Sequence, residues 1–340
     1  MNSKDISVVE SLLNTPKHIV VVGHKNPDGD AIGSCLGLAN FLRQKGHEVI
    51  VMMPNDFPKF LHWIPEADYI TIYDQEIDKS KEIVNNADII FTLDFNALDR
   101  TGDLQGVLET ATAEFILIDH HQQPDDYAKV IYSDVTMCST AQMVYHFIEK
   151  LQGLEFMNSE IATQLYVGIM TDTGSFRFPA TTAITHRVIA NLIESGAKNS
   201  EIHQNIYDTN SPDRLKLLGV ALNNLVILPE YNTAYITLTQ EELTENNFKK
   251  GDTEGFVNYA LSMVGVVFAI IFIENKKEDI VKISLRSKGS FSVNEFSRSH
   301  YNGGGHSNAA GGRSQLTLPE TVAEFISILP KYKEALVYEA

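Results

Sequence analysis

Four short segments of this chain carry the residue types that hold divalent cations: His24-Lys25-Asn26-Pro27-Asp28-Gly29-Asp30, Asp94, Asp119-His120-His121 and Asp172. Each follows an apolar stretch. Mixed carboxylate and imidazole donors suit Mn²⁺, with Mg²⁺, Co²⁺ and Zn²⁺ as neighbouring choices. Two such ions about 3.5–4 Å apart are a recurring device for cleaving phosphate esters. Ionised, Asp28, Asp30, Asp94 and Asp172 carry −4, which two divalent ions balance. That balance leaves a water free to lose a proton and attack phosphorus. If the segments converge in space, the chain is a metal-dependent phosphoesterase.

Each segment also has a plainer reading. Pro27 and Gly29 are turn formers, so Asp28 and Asp30 could simply decorate a turn that caps a helix. Asp94 could be a helix cap or a surface charge, or a carboxylate shared between two cations. The adjacent His120 and His121 point to different sides, so one is expected as a direct ligand. The other is then structural or touches substrate. Asp172 falls at a helix C-terminus, where the macrodipole disfavours a carboxylate, and that misfit favours a functional role.

The elements that must position these residues alternate in the first part of the chain. His18–Gly23, Glu48–Met53, Asp88–Leu93 and Glu114–Ile118 read as buried strands, and Ala31–Lys45 as a helix. Such alternation predicts a parallel sheet covered on both faces. Ligands of these sheets collect beyond the carboxyl ends of the strands, where His24, Asp94 and Asp119 stand. Ile161–Met170 reads as a helix that delivers Asp172, and Thr185–Ser195 as another stopped by Gly196. Ser200 is expected to cap a helix beginning Glu201-Ile202-His203-Gln204, and Ser211-Pro212-Asp213 to start the next. The second part reads as a smaller α/β domain. Its strands are expected at Ala234–Leu238, Val266–Ile273 and Val281–Leu285, and a helix at Phe256–Val264. The expected domains are 1–196, a helical link over 197–225, and 226–340.

Near the end lies Gly303-Gly304-Gly305-His306-Ser307-Asn308-Ala309-Ala310-Gly311-Gly312-Arg313. Its glycines read as an open loop whose N–H groups form an anion nest, with His306, Arg313 and the earlier Arg286 adding positive contacts.

Bulk properties set outer limits. At 340 residues, two domains are the natural expectation. The longest apolar run, Met263–Ile273, is too short to span a bilayer. The opening residues lack a basic start and a long apolar core, so no signal peptide is expected. Cys35 and Cys138 show neither metal spacing nor a disulfide framework, which fits a reducing cytoplasm. A net charge of −17 lacks the basic footprint of a protein that grips long nucleic acid, and so points to small or short anionic substrates.

In this order, HKNPDGDAIGS, LDF, DHH and TDTGSF resemble the four motifs of the DHH phosphoesterases, and GGGHSNAAGG resembles the signature of their DHHA1 domain. The resemblance spans essentially the whole chain. Within the family it is nearest the NrnA-type branch of bifunctional oligoribonucleases and pAp phosphatases. It implies an α/β fold: a mostly parallel-sheet DHH domain and a smaller DHHA1 domain, with the active site in the cleft between them. It implies one metal on His24, Asp28 and Asp94, and a second on Asp30, Asp94, His120 and Asp172. Asp119 would then support the site from behind the ligands, and His121 would contact substrate phosphate or position the attacking water. Substrate contacts are implied for Arg100, Ser175, Arg286, Gly303, Gly304, Gly305 and His306. The implied activity is Mn²⁺-dependent hydrolysis of short RNA, dinucleotides such as pApA, and 3′-phosphoadenosine-5′-phosphate (pAp). No long duplex nucleic acid and no membrane are expected as partners, and a homodimer is a candidate assembly. The alternatives are an exopolyphosphatase or pyrophosphatase, a single-strand 5′ exonuclease, or a nucleotide-binding regulator without catalysis.

Overall fold

The computed structural model describes residues 1–337. It divides into two compact units, one ending at Thr209 and the other beginning at Asn210.

The first unit runs α1 (Ser3–Leu12), β1 (His18–Val22), α2 (Gly29–Gln44), β2 (Glu48–Met53), β3 (Thr71–Ile72), α3 (Ile77–Asn85), β4 (Ile89–Leu93), α4 (Gln105–Glu109), β5 (Glu114–Asp119) and β6 (Val130–Ser133). It closes with α5 (Thr140–Lys150), α6 (Ser159–Asp172), α7 (Ala183–Glu194) and α8 (Asn199–Tyr207). The strands form one six-stranded sheet in the order β3-β2-β1-β4-β5-β6. Every neighbouring pair is parallel. Period-two alternation sends Ile19, Val21 and Phe91 to a core shared with α2, α5 and α6. The intervening Val20, Val22 and Ile90 meet α3 and α4 on the other face. The sheet is thus covered on both sides, which is why its strands read as continuous apolar runs.

Helix α2 is buried from Gly29 to Leu42. It packs against α6 at a separation only glycine permits. A Cβ on Gly33 would lie 2.3 Å from the Gln164 carbonyl oxygen, and one on Gly168 would lie 2.8 Å from Oδ1 of Asp30. Gly29, expected as a turn former, is instead the first residue of α2, pressed against Thr171.

The second unit runs α9 (Pro212–Asn223), β7 (Val226–Leu228), β8 (Thr233–Leu238), α10 (Gln240–Glu245), α11 (Phe256–Leu261), β9 (Phe268–Asn275), β10 (Ile280–Ser287), α12 (Val293–His300), β11 (Gly304–His306), β12 (Ala309–Ser314) and α13 (Leu318–Ile328). Its six strands lie in the order β11-β12-β10-β9-β8-β7. Among the described residues of this unit, only β8 and β9 pair parallel. One face, with Phe268, Phe272, Ile283 and Leu285, packs on Phe296 of α12 and Phe325 of α13. The region 197–225 is helical in α8 and α9. Ile202 and Ile206 of α8 join the first core, and Leu217 and Ala221 of α9 join one in the second unit. Ser211 caps α9 by accepting from the Arg214 N–H, with Pro212 in the first turn, as the sequence predicts. The cap expected at Ser200 is not formed. Helix α8 already begins at Asn199, so Ser200 lies within it.

Among the described residues no helix is long and apolar enough to cross a membrane.

Candidate metal centre

The first sheet reverses its strand order between β1 and β4. Chains leaving neighbouring strands there diverge, which opens a crevice at their carboxyl ends. His24 follows β1, Asp94 follows β4, and Asp119-His120-His121 closes β5. Asp30 enters from the first turn of α2 and Asp172 from the last residue of α6.

These side chains form two adjoining groups. In one, His24 Nε2 lies 3.9 Å from Asp28 Oδ1 and 3.5 Å from Asp94 Oδ2. In the other, His120 Nε2 lies 3.9 Å from Asp30 Oδ2, 3.5 Å from Asp94 Oδ1 and 3.5 Å from Asp172 Oδ2. These gaps are too long for hydrogen bonds. They suit donors around one ion at metal–ligand distances of about 2.0–2.2 Å. Asp94 therefore presents one oxygen to each group.

The imidazoles are oriented toward these carboxylates. His24 Nδ1 lies 3.0 Å from the Lys25 carbonyl, and His120 Nδ1 lies 3.2 Å from the Met137 carbonyl. A carbonyl only accepts, so each Nδ1 carries the proton and Nε2 is directed at the carboxylates. His121 differs. Its Nδ1 donates to Asp119 Oδ1 at 2.7 Å, and Asp119 itself is wholly buried. The second oxygen of Asp119 finds no hydrogen-bond partner among the described residues.

Without cations the cluster is over-supplied with negative charge. Burial pushes Asp30 up to about 6, and Asp28 adds to the effect against the opposing pull of His120. Burial, then Asp30, Asp28 and Asp172, hold Asp94 well above the usual carboxylate range. Burial alone would lower His120, but Asp172, Asp30 and Asp119 outweigh it and raise that imidazole. Burial lowers His24. The crowding of buried carboxylates raises the cost of their negative charge, and the mixed carboxylate and imidazole donor set fits divalent cations, which would lower it.

Asp28 takes part in two contacts. Its side chain caps α2 through the N–H groups of Asp30 and Ala31, and it also faces His24. Arg100 is exposed on a 3-10 turn, where its carbonyl accepts from the Lys25 N–H at 2.8 Å. Asp172 is followed by Gly174, Ser175 and Phe176, all left-handed, with φ of 57°, 62° and 67°. A left-handed phenylalanine costs conformational energy and is held here by the Phe176 N–H donating to Thr173 Oγ1.

In the second unit, Arg286 stands opposite Ala309, and Ala309 opposite His306. Arg286 and His306 therefore share the open face of the outer strands, as do Lys282 and Arg313. The glycine-rich stretch is not the open loop expected from the sequence. Gly304–His306 is an edge strand paired to β12. The N–H groups of Gly303 and Gly305 already donate to Ser297 O and Asn294 Oδ1. A Cβ on Gly303 would sit 1.9 Å from the Gly311 oxygen and one on Gly305 2.4 Å from the Ala309 oxygen, so close packing requires glycine at these two positions.

The sequence reading missed α5. Its cap, Ser139, accepts from the Gln142 N–H, a legible start signal. Its first residues reach into the centre: the N–H groups of Thr140 and Ala141 donate to Asp30, and the Thr140 hydroxyl to Asp94.

Residues 18–169 match the DHH family, N-terminal domain, and residues 231–334 match the DHHA1 domain. The chain is 32% identical over 304 residues to the bifunctional oligoribonuclease and PAP phosphatase NrnA of Thermus thermophilus, covering 89% of this chain and 86% of that one. It is 29% identical to the protein of the same description from Bacillus subtilis, covering 86% and 88%. A crystal structure of an exopolyphosphatase-related protein from Bacteroides fragilis is 37% identical, covers 98% of both chains and superposes with a TM-score of 0.95.

Proposed function

Because the chain belongs to the DHH family of phosphoesterases and carries a DHHA1 domain, we propose that it hydrolyses short oligoribonucleotides, linear dinucleotides such as pApA, and pAp. The observation that carries the chemistry is Asp94, whose two oxygens face two different histidine–carboxylate groups. The substrate class rests on the named activities of the Thermus and Bacillus relatives. It also fits a net charge of −17, which disfavours long nucleic acid.

In this reading His24, Asp28 and Asp94 hold one divalent ion, and Asp30, Asp94, His120 and Asp172 hold the other. The ions, Mn²⁺ in our assignment, would neutralise phosphate charge and make a water acidic enough to attack phosphorus. Asp119 fixes His121 with its Nδ1 protonated. That leaves the Nε2 lone pair to take a proton from the water, and once protonated Nε2 can donate to a phosphate oxygen. Water adds to phosphorus, the ester P–O bond breaks, and the departing oxygen is protonated. Arg286 and the Gly303–His306 segment, including Gly304 and Gly305, hold a terminal phosphate. Arg100 and Ser175 add contacts beside the centre. The same reading places the protein in the cytoplasm, with a homodimer as its candidate assembly.

A panel of pAp, pApA, five-nucleotide RNA, pyrophosphate and polyphosphate, each with Mn²⁺, tests the assignment. We expect turnover of the first three. Turnover confined to the last two would overturn it in favour of an exopolyphosphatase or pyrophosphatase.

A further inference from the structure

We propose that Thr140 is a positioning residue that locks the plane of the shared carboxylate Asp94 and ties it to Asp30; this rests on the reading of Asp94 as the ligand common to both ions. Thr140 touches both acids through different atoms. Its backbone N–H donates to Asp30 Oδ2 at 2.7 Å, and its hydroxyl donates to Asp94 Oδ1 at 2.9 Å. Ala141 completes the grip on Asp30 through its N–H, 2.8 Å from Oδ1. Ser139, Thr140 and Ala141 are all fully buried, so this contact is internal to the protein.

The need for such a lock follows from the chemistry of the side chain. The terminal torsion of an aspartate is broad, with no sharp staggered well. A carboxylate that serves one ion can follow it. One that serves two must hold a fixed plane, because any twist carries both oxygens away from both groups. Oδ1 faces His120 and Oδ2 faces His24, each at 3.5 Å. The Thr140 hydroxyl marks Oδ1 and leaves that oxygen a second lone pair for an ion. Asp94 leaves the end of β4 and Asp30 the start of α2, so the first residue of α5 joins two otherwise separate elements at the point where their charges must coexist. The aligned N–H groups of a helix start also favour an ionised Asp30.

The test uses the full chain and Mn²⁺ alone as probe, read by calorimetry and by the exchange-coupled electron paramagnetic resonance signal of an ion pair. Thr140→Ser and Thr140→Ala both lose the methyl and differ only in the hydroxyl, which keeps the comparison valid if Thr140→Val folds poorly. Removing a partner that orients a metal ligand typically costs roughly 10–100-fold in metal affinity. We expect that loss and an altered coupled signal in the alanine and valine variants. We also expect a lower kcat at saturating Mn²⁺ with KM unchanged, and near wild-type behaviour in the serine variant. A merely structural threonine would lower thermal stability without changing the coupled signal. Alanine and serine variants with the wild-type isotherm and signal would overturn the assignment to Thr140. A wild-type protein that binds Mn²⁺ without any coupled signal would instead overturn the shared-carboxylate reading beneath it.

Discussion

Asp94 occupies a left-handed backbone conformation, φ 65°, at the end of β4. Aspartate and asparagine tolerate that region better than most residues, and alanine does not. The choice of test substitution follows. Asp94→Asn keeps shape and backbone preference while removing the charge, so we expect an unchanged circular dichroism spectrum and a loss of turnover on the order of 10³-fold, equivalent to about 4 kcal/mol. Asp94→Ala would add a backbone penalty of roughly 1 kcal/mol and blur the result. The buried acids also give the protein a pH signature. Burial raises Asp30 to about 6 in the metal-free protein. A raised carboxyl stabilises the fold fully below its ordinary pKa, and that stabilisation is lost as pH rises through about 6. Mn²⁺ requires the ionised form, so its affinity rises over the same window. Thermal unfolding should therefore move to lower temperature with rising pH in chelator, and to higher temperature with rising pH in Mn²⁺. Parallel trends in both would contradict the assignment of Asp30 as a ligand. At this scale the acids and histidines were legible because each stands at the end of an apolar strand or helix. Thr140 was not, because a threonine after a serine cap signals only a helix start. Its targets lie far away in sequence.

At the scale of elements, the centre depends on how closely α2 approaches α6, since one carries Asp30 in its first turn and the other ends with Asp172. Two helical glycines make opposite predictions. A Cβ on Gly33 would stand 2.3 Å from a backbone oxygen that cannot step aside, so Gly33→Ala should destabilise the protein by about 1–3 kcal/mol and weaken Mn²⁺ binding. Gly106 in α4 has nothing within 4 Å of the added atom, so Gly106→Ala should be neutral or stabilise by about 0.5–1 kcal/mol. Denaturant titration of both variants checks the pair. The parallel sheet itself was readable from the spacing of apolar runs. The role of Gly29 was not, because Pro27-Asp28-Gly29 carries the local signature of a turn, while the constraint on Gly29 comes from Thr171. The glycines around β11 misled in the same way. Glycine density suggests a loop, yet Gly303 and Gly305 are there so that the chain can lie against β12 and Ser297.

For the molecule as a whole, a net charge of −17 coexists with a basic strip of Lys282, Arg286 and Arg313 on one face of the second sheet. In the proposed reading, substrate anions would be drawn by local contacts against an unfavourable overall field, and the bound cations would be the largest positive charges available to them. The central claim is that two divalent ions share Asp94. Anomalous diffraction from crystals grown with Mn²⁺ tests it most directly. The account predicts two peaks about 3.5–4 Å apart, one on each oxygen of Asp94, with His24 and Asp28 around the first and Asp30, His120 and Asp172 around the second. A single peak, or two peaks that do not share Asp94, would contradict it.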